Sequence, residues 1–168
     1  MSKSKLSAEL LEKASKVKLL LMDCDGVLTD GRLYFSKVGE ELKVFNIKDG
    51  QGIVSWHKAG FLSGIITGRN SVMLEKRVEE LGINYLKQGS KDKVKDLEEI
   101  LSDSKLSIEE VAYIGDDISD IELLKQVGFP IAVSDCAEEI LTEVLFVTKK
   151  NGGFGAVREV TDILLNSM

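Results

Sequence analysis

The chain of 168 residues has one histidine, two cysteines, no surplus of positive charge and no long apolar run. Each scarcity removes a class of function. The lone His57 has no second imidazole to share a metal with, so it reads as a helix-surface or packing residue. Cys24 and Cys136 fit a reducing compartment and read as packing residues, with no redox role expected. Lysine and arginine number 22 against 28 acids, giving a net charge of −6 and an isoelectric point near 5.0. Nucleic-acid binding needs a basic face, so that partner is not expected, whereas a site that gathers cations suits the balance. No apolar stretch approaches the ~20 residues that span a bilayer. Residues 1–16 show no apolar leader core, so no membrane association and a cytoplasmic location are expected. Apolar residues at 43% and charged residues at 30% describe a soluble globular chain, long enough to bury a core as a single domain over residues 1–168.

Residues 17–31, VKLLLMDCDGVLTDG, organise the rest. An apolar run interrupted only by Lys18 reads as a strand buried on both faces, as in a parallel sheet. It ends in Asp23 and Asp25, then Gly26. Carboxylates delivered to the end of a dry strand are costly unless used there. Cys24 lies between them, so in an extended segment its side chain points away from theirs. A helix is expected before this strand, over residues 7–16. Residues 33–45 read as a hairpin that could cover the acids as a flap (about residues 31–46). A polar, glycine-bearing turn over residues 46–53 leads to a helix ending near Ala59, where Gly60 stops it. Strand two, residues 61–67, ends in TGR. A helix over 71–81, a strand over 84–86 and a helix over 91–101 follow, with Lys93 in the last helix's first turn. The dipole there repels a cation unless an anion lies nearby. VAYIGDDISD, residues 111–120, repeats the strand-then-acids pattern with Asp116, Asp117 and Asp120 and opens a helix to Val127. Strands at 130–133 and 144–147 bracket a helix near residue 139. NGGFG then leads into a glycine-rich C-terminal segment, about residues 151–168, with a final helix from Ala156. The three glycines suggest a hinge, the helix's stripe of Val157, Val160 and Leu164 could dock on its own domain or on a neighbouring subunit, and removing the segment is expected to leave the core folded.

Alternating strands and helices predict an α/β fold: a doubly wound parallel (Rossmann-like) sheet with helices on both faces, the inserted hairpin flap and no separate cap domain. In the order 3-2-1-4-5, strands one and four are neighbours where the order reverses, and ligands bind there. Asp23, Asp25 and Asp116 then converge, with Thr67 beside them. Packed carboxylates raise one another's pKa unless a cation sits among them. An all-oxygen set with few groups suits magnesium. A cation with a hydroxyl and a lysine makes an anion site that suits phosphate. One aspartate can attack phosphorus, and a second acid two residues on can protonate the leaving oxygen and then activate water. The metal and Lys93 would neutralise the phosphoryl oxygens.

DCDGVLTDG, ITGR, Lys93 and GDDISD resemble the four motifs of the haloacid dehalogenase superfamily of phosphatases, over about residues 17–160. Within it, GVLTDG, GEELKVFNIKDGQGI, QGSKDK and GGFGAVRE are similar to the 3-deoxy-D-manno-octulosonate 8-phosphate phosphatase family. The resemblance implies a magnesium-dependent phosphomonoesterase that works through an aspartyl-phosphate in lipopolysaccharide precursor synthesis. Its substrate would be a phosphorylated sugar acid. It also implies a homotetramer whose sites are closed by the flap and a neighbour's C-terminal tail. Asp23 would be the nucleophile and Asp25 the general acid and base. Thr67 would bind phosphate, and Lys93 phosphate and nucleophile. Magnesium would be held by Asp23, the backbone carbonyl of Asp25, and Asp116. Asp117 or Asp120 would act through water or on Lys93. The sugar acid would touch Asn46, Ile47, Lys48, Asp49, Gly50, Gly68, Arg69, Arg77, Lys93 and the position of Ser119. Arginine suits carboxylate recognition.

Two positions depart from the family pattern: Val54, where arginine is common, and Ser119, where asparagine is common. Both concern substrate, which leaves a nine-carbon sialic-type sugar acid 9-phosphate, or a broader range of sugar phosphates, as alternatives. A different class, the signalling receiver domain, is also doubly wound and phosphorylated on aspartate beside magnesium. There the paired acids follow the first strand and the acceptor the third, whereas here DxD comes first and GDD late.

Overall fold

The structure is a computed structural model that describes residues 7–168. The first six residues of the stretch read as lacking a leader lie outside the described residues. In chain order, α1 (Ala8–Ser15) leads into β1 (Leu19–Met22), and β2 (Tyr34–Ser36) and β3 (Gly39–Leu42) form the hairpin. Then come α2 (Ile47–Lys58), β4 (Leu62–Ile66), α3 (Val72–Leu81), β5 (Tyr85–Lys87) and α4 (Lys93–Ser104). β6 (Val111–Gly115), α5 (Ile121–Leu124), β7 (Phe129–Ala132), β8 (Phe146–Val147) and α6 (Ala156–Asn166) complete the chain.

The main sheet is parallel throughout, in the order β5-β4-β1-β6-β7-β8. This is the expected doubly wound sheet, and its order reverses between β1 and β6. β1 is buried at all four residues. Leu20 and Met22 pack on one face with Ile53, Trp56, Val157 and Leu164, and Leu19 and Leu21 pack on the other with Leu97, Ile100 and Leu123. A strand covered on both faces needs the unbroken apolar run seen in the sequence. No helix among the described residues is long and apolar enough to cross a membrane.

Four expectations are corrected. α2 begins at Ile47 instead of after a turn, because the Asn46 side chain caps it by accepting from Lys48 N at 2.8 Å. Gly50 and Gly52 are therefore helical, and they let other helices approach. A Cβ on Gly50 would meet the Arg77 guanidinium, and one on Gly52 would meet Thr161 and Arg158 of α6. The helix expected to run to Val127 is a 3-10 turn, Ile118–Asp120, followed by four residues of α5. A 3-10 turn, Glu138–Glu143, likewise replaces the helix near residue 139. The C-terminal segment is no detachable hinge. Val157, Val160 and Leu164 are buried in the same core as Leu20 and Met22, and α6 packs along α2. Gly153 N donates to Val27 O at 2.9 Å, so the glycines lie against the loop that follows β1.

Truncating Leu21, fully buried in the central strand, to alanine should cost about 2–5 kcal/mol of unfolding free energy. Urea denaturation of Leu21→Ala checks this. The same measurement on a chain cut before Gly152 should show loss of cooperative folding, because α6 supplies part of the core.

Candidate active site

The C-terminal ends of β1, β4 and β6 surround an open polar cavity of about 290 Å³. Asp23 and Asp25 come from the loop after β1, Thr67, Gly68 and Arg69 from the end of β4, Lys93 from the start of α4, and Asp116, Asp117 and Ser119 from the loop after β6. All of these predicted residues line the cavity.

Lys93 holds the centre. Its Nζ donates to Asp23 Oδ2 at 2.7 Å and to Asp120 Oδ1 at 2.7 Å, with the Tyr113 hydroxyl 3.3 Å away. Its side chain is 9% exposed, and those of Asp23 and Asp120 are 10% and 0% exposed, so the charges meet away from bulk water. Asp120 is fully engaged. Its Oδ1 also accepts from Tyr113 OH at 2.6 Å, and its Oδ2 accepts from the amides of Asp116 and Asp117 at 2.9 and 3.2 Å. That is the tight turn after β6, closed by a carboxylate one turn on. The anions that a lysine in the first turn of a helix calls for are therefore Asp23 and Asp120.

Asp23 Oδ1 accepts the Cys24 amide at 2.6 Å. Asp25 Oδ1 pairs with the ammonium of Lys43, and its Oδ2 is buried without a hydrogen bond, 3.7 Å from Arg69 Nε. Burial holds the carboxyl of Asp23 above its usual range, and the charge of Asp120 adds to this against the opposing pull of Lys93. Burial first, then the charges of Asp23, Asp120 and Asp117, pushes Asp116 up to about 8. Burial works against the ammonium of Lys93, but the two carboxylates together outweigh it and hold its pKa above the ordinary lysine value.

These acids fit a divalent cation. Carboxylate oxygens of Asp23, Asp116 and Asp120 lie within 4.8 Å of one another. Asp120 is already saturated, so Asp23 and Asp116 have the free capacity. The approach is kept clear by Gly26 (φ +93°), where any Cβ would run into the Asp116 carboxylate. Two acids with room for waters and phosphate oxygens match magnesium.

Several expected residues are not brought to the cavity. Asp49 is 1% exposed and accepts from Gly155 N at 3.2 Å and Arg158 N at 2.8 Å, which caps α6. Burial raises its carboxyl above the usual range despite those donors. Arg77 donates to the Asn46 carbonyl at 3.4 Å, lies over the Phe45 ring and pairs with Glu80. Gly50 makes room for Arg77, and Asn46 donates to Gly153 O at 3.1 Å. Ile47 and Lys48 face outward. Within one chain, residues 46–50 thus fasten the flap's base to α6. Ser90 and Lys91 line the cavity and went unpredicted, although they directly precede Lys93 in the quoted QGSKDK segment. Lys43 and Tyr113 also went unpredicted.

The sequence model of the haloacid dehalogenase-like hydrolase family matches residues 85–160. The 3-deoxy-D-manno-octulosonate 8-phosphate phosphatase of Yersinia pestis is 43% identical over 157 residues, which cover 94% of this chain and 84% of that protein. The enzyme of the same name from Escherichia coli K12 is 41% identical over 160 residues, covering 95% and 85%. The crystal structure of such a phosphatase from Yersinia pestis superposes with a TM-score of 0.94 at 41% identity, over 96% of this chain and 88% of that one. That from Moraxella catarrhalis, in complex with magnesium, phosphate and KDO, superposes at 0.94 with 37% identity, over 97% and 94%.

Because Asp116 is protonated below about 8 in the metal-free chain, binding a cation there must displace a proton. Magnesium affinity should therefore rise with pH up to about 8 and then level. Calorimetry in two buffers of different ionisation heat would detect the released proton. An acid with a raised folded pKa stabilises the metal-free fold at low pH and loses that contribution as pH rises. The thermal midpoint without metal should fall between about pH 4 and 8, and magnesium should abolish the decline.

Proposed function

The chain belongs to the 3-deoxy-D-manno-octulosonate 8-phosphate phosphatase family of haloacid dehalogenase-like hydrolases, and on that premise we propose that this cavity hydrolyses the 8-phosphate of that sugar acid. The chain is a magnesium-dependent phosphoric monoester hydrolase. One observation carries the assignment of roles. Asp23 lies between the Lys93 ammonium and the Asp116 carboxylate, and two residues on Asp25 has a buried oxygen with no hydrogen bond.

Asp23 is the nucleophile. Its two oxygens each accept one donor, the Cys24 amide and Lys93, which fixes the carboxylate and leaves lone pairs for attack on phosphorus. As the oxygen–phosphorus bond to Asp23 forms, the bond to the sugar oxygen breaks. Asp25 gives that oxygen its proton. Asp25 then takes a proton from water, whose oxygen attacks phosphorus and frees Asp23. Thr67 and Lys93 bind the phosphoryl oxygens, and Lys93 offsets their charge. Asp23, Asp116 and the backbone carbonyl of Asp25 would hold the magnesium ion, which would supply further charge neutralisation. Asp120 positions Lys93, and Asp117 helps shape the turn. Arg69 and Ser119, on the cavity wall, face the sugar acid, and Arg69 suits its carboxylate. Asp25 also separates turnover from phospho-aspartate signalling, since it gives water a base.

The physiological setting we infer is a cytoplasmic homotetramer acting in lipopolysaccharide precursor synthesis. Support for self-association comes from the hairpin, where Leu33, Phe35, Val38, Leu42 and Val44 are exposed alongside Ile47 of α2. With no cap domain over the cavity among the described residues, a neighbour resting on that surface would help exclude water.

Asp23→Asn should leave no more than a trace of turnover with the fold intact, as read by phosphate release and circular dichroism. Asp25→Asn should lower kcat by about 10²–10⁴-fold. Chelation should abolish activity and magnesium restore it, while calcium, with its longer bonds and higher coordination, should inhibit. A panel of eight- and nine-carbon sugar-acid phosphates, assayed side by side, identifies the substrate. A preference for the nine-carbon 9-phosphate would transfer the assignment to that sugar.

A further inference from the structure

Residues 42–44 reverse the pattern expected of a surface hairpin. Leu42 and Val44 are 50% and 52% exposed, whereas the Lys43 side chain between them is 3% exposed. An arm that only decorated the surface would turn the apolar residues in and the lysine out. Burying an ammonium is unfavourable unless a carboxylate meets it. The carboxylate that meets Lys43 is Asp25, through Oδ1. The other arm of the hairpin reaches the same group indirectly. Phe35 lies 5.7 Å from the Arg69 guanidinium carbon, and Arg69 Nε is 3.7 Å from Asp25 Oδ2. The hairpin thus bears on one carboxylate from β2 and from the residue after β3, although Lys43 itself does not line the cavity.

We propose that Lys43 is a positioning residue through which the hairpin sets Asp25 for catalysis. With Oδ1 committed to the ammonium, Oδ2 is the oxygen left to exchange a proton with the departing sugar oxygen and then with water. This rests on the reading of Asp25 as general acid and base, and adds a residue that none of the four catalytic motifs contains.

The test is a double-mutant cycle on the full chain with magnesium, following steady-state turnover of a sugar-acid phosphate. Lys43→Met should lower kcat by about 10- to 100-fold with KM changed less than about threefold, and Lys43→Arg should recover most of the loss. In an Asp25→Asn background the same Lys43→Met change should lower kcat by no more than about twofold, because the group it acts through is already disabled. If Lys43→Met does not give folded chain by thermal melting, Lys43→Gln takes its place in the cycle. Full kcat in Lys43→Met, an equal loss in both backgrounds, or a raised KM with kcat intact would each overturn the proposal. A wild-type chain inactive on every phosphomonoester would overturn the functional reading and this inference with it. An active wild type with an indifferent Lys43→Met overturns this inference alone.

Discussion

One buried ammonium balances the carboxylates at the seam between β1 and β6, and the site is arranged around that constraint. Lys93 touches both Asp23 and Asp120, and Asp120 in turn holds the amides of the turn after β6. Removing Lys93 would leave both acids without their shared cation, close together and away from bulk water. Burial, and then the charges of Asp23, Asp120 and Asp117 that one lysine does not offset, push Asp116 up to about 8. A cation bound between Asp23 and Asp116 would take the place of the proton on Asp116 and add charge compensation to the seam.

The residues of this seam were legible in the sequence because the sheet topology does the assembling. An apolar run, then acids, occurs twice, at residues 17–25 and 111–117. In a doubly wound sheet those two strands are neighbours at the point where the order reverses. Asp23, Asp25, Thr67 and Asp116 follow from strand-end positions, and Lys93 from a cation placed in the first turn of a helix, with no need to know any side-chain contact. Strand periodicity is short-range and robust, so the strands fell within a residue or two, except β8, which is shorter than expected.

What the sequence hid depends on contacts between distant segments. The family resemblance marks Asp49 as a residue that touches the sugar acid. In this chain its carboxylate caps a helix that begins more than a hundred residues later. Gly50 and Gly52 looked like turn residues, but they are thin places in α2 where Arg77 and α6 press close. The C-terminal glycines suggested freedom, yet they lie against the loop after β1, where any side chain on Gly152 would strike the Gly26 carbonyl. Lys43 could have been found from one signal: a lysine between Leu42 and Val44, at the inward position of the arm. Seen with the fold, these features tie hairpin, α2 and α6 into one frame around Asp25, so that the flap is anchored at its base and presents its apolar residues outward.

The central claim is that Asp23 carries the phosphoryl group, and it can be tested at the atom concerned. The Asp25→Asn chain, loaded with magnesium and a sugar-acid phosphate, should accumulate the acyl phosphate because hydrolysis lacks its base. Acid quenching followed by borohydride reduction and peptide mass spectrometry would convert that residue to homoserine. Homoserine at position 23, dependent on both substrate and magnesium, is the result this account predicts. Homoserine at position 116, or no modified residue while phosphate is still released, would contradict it.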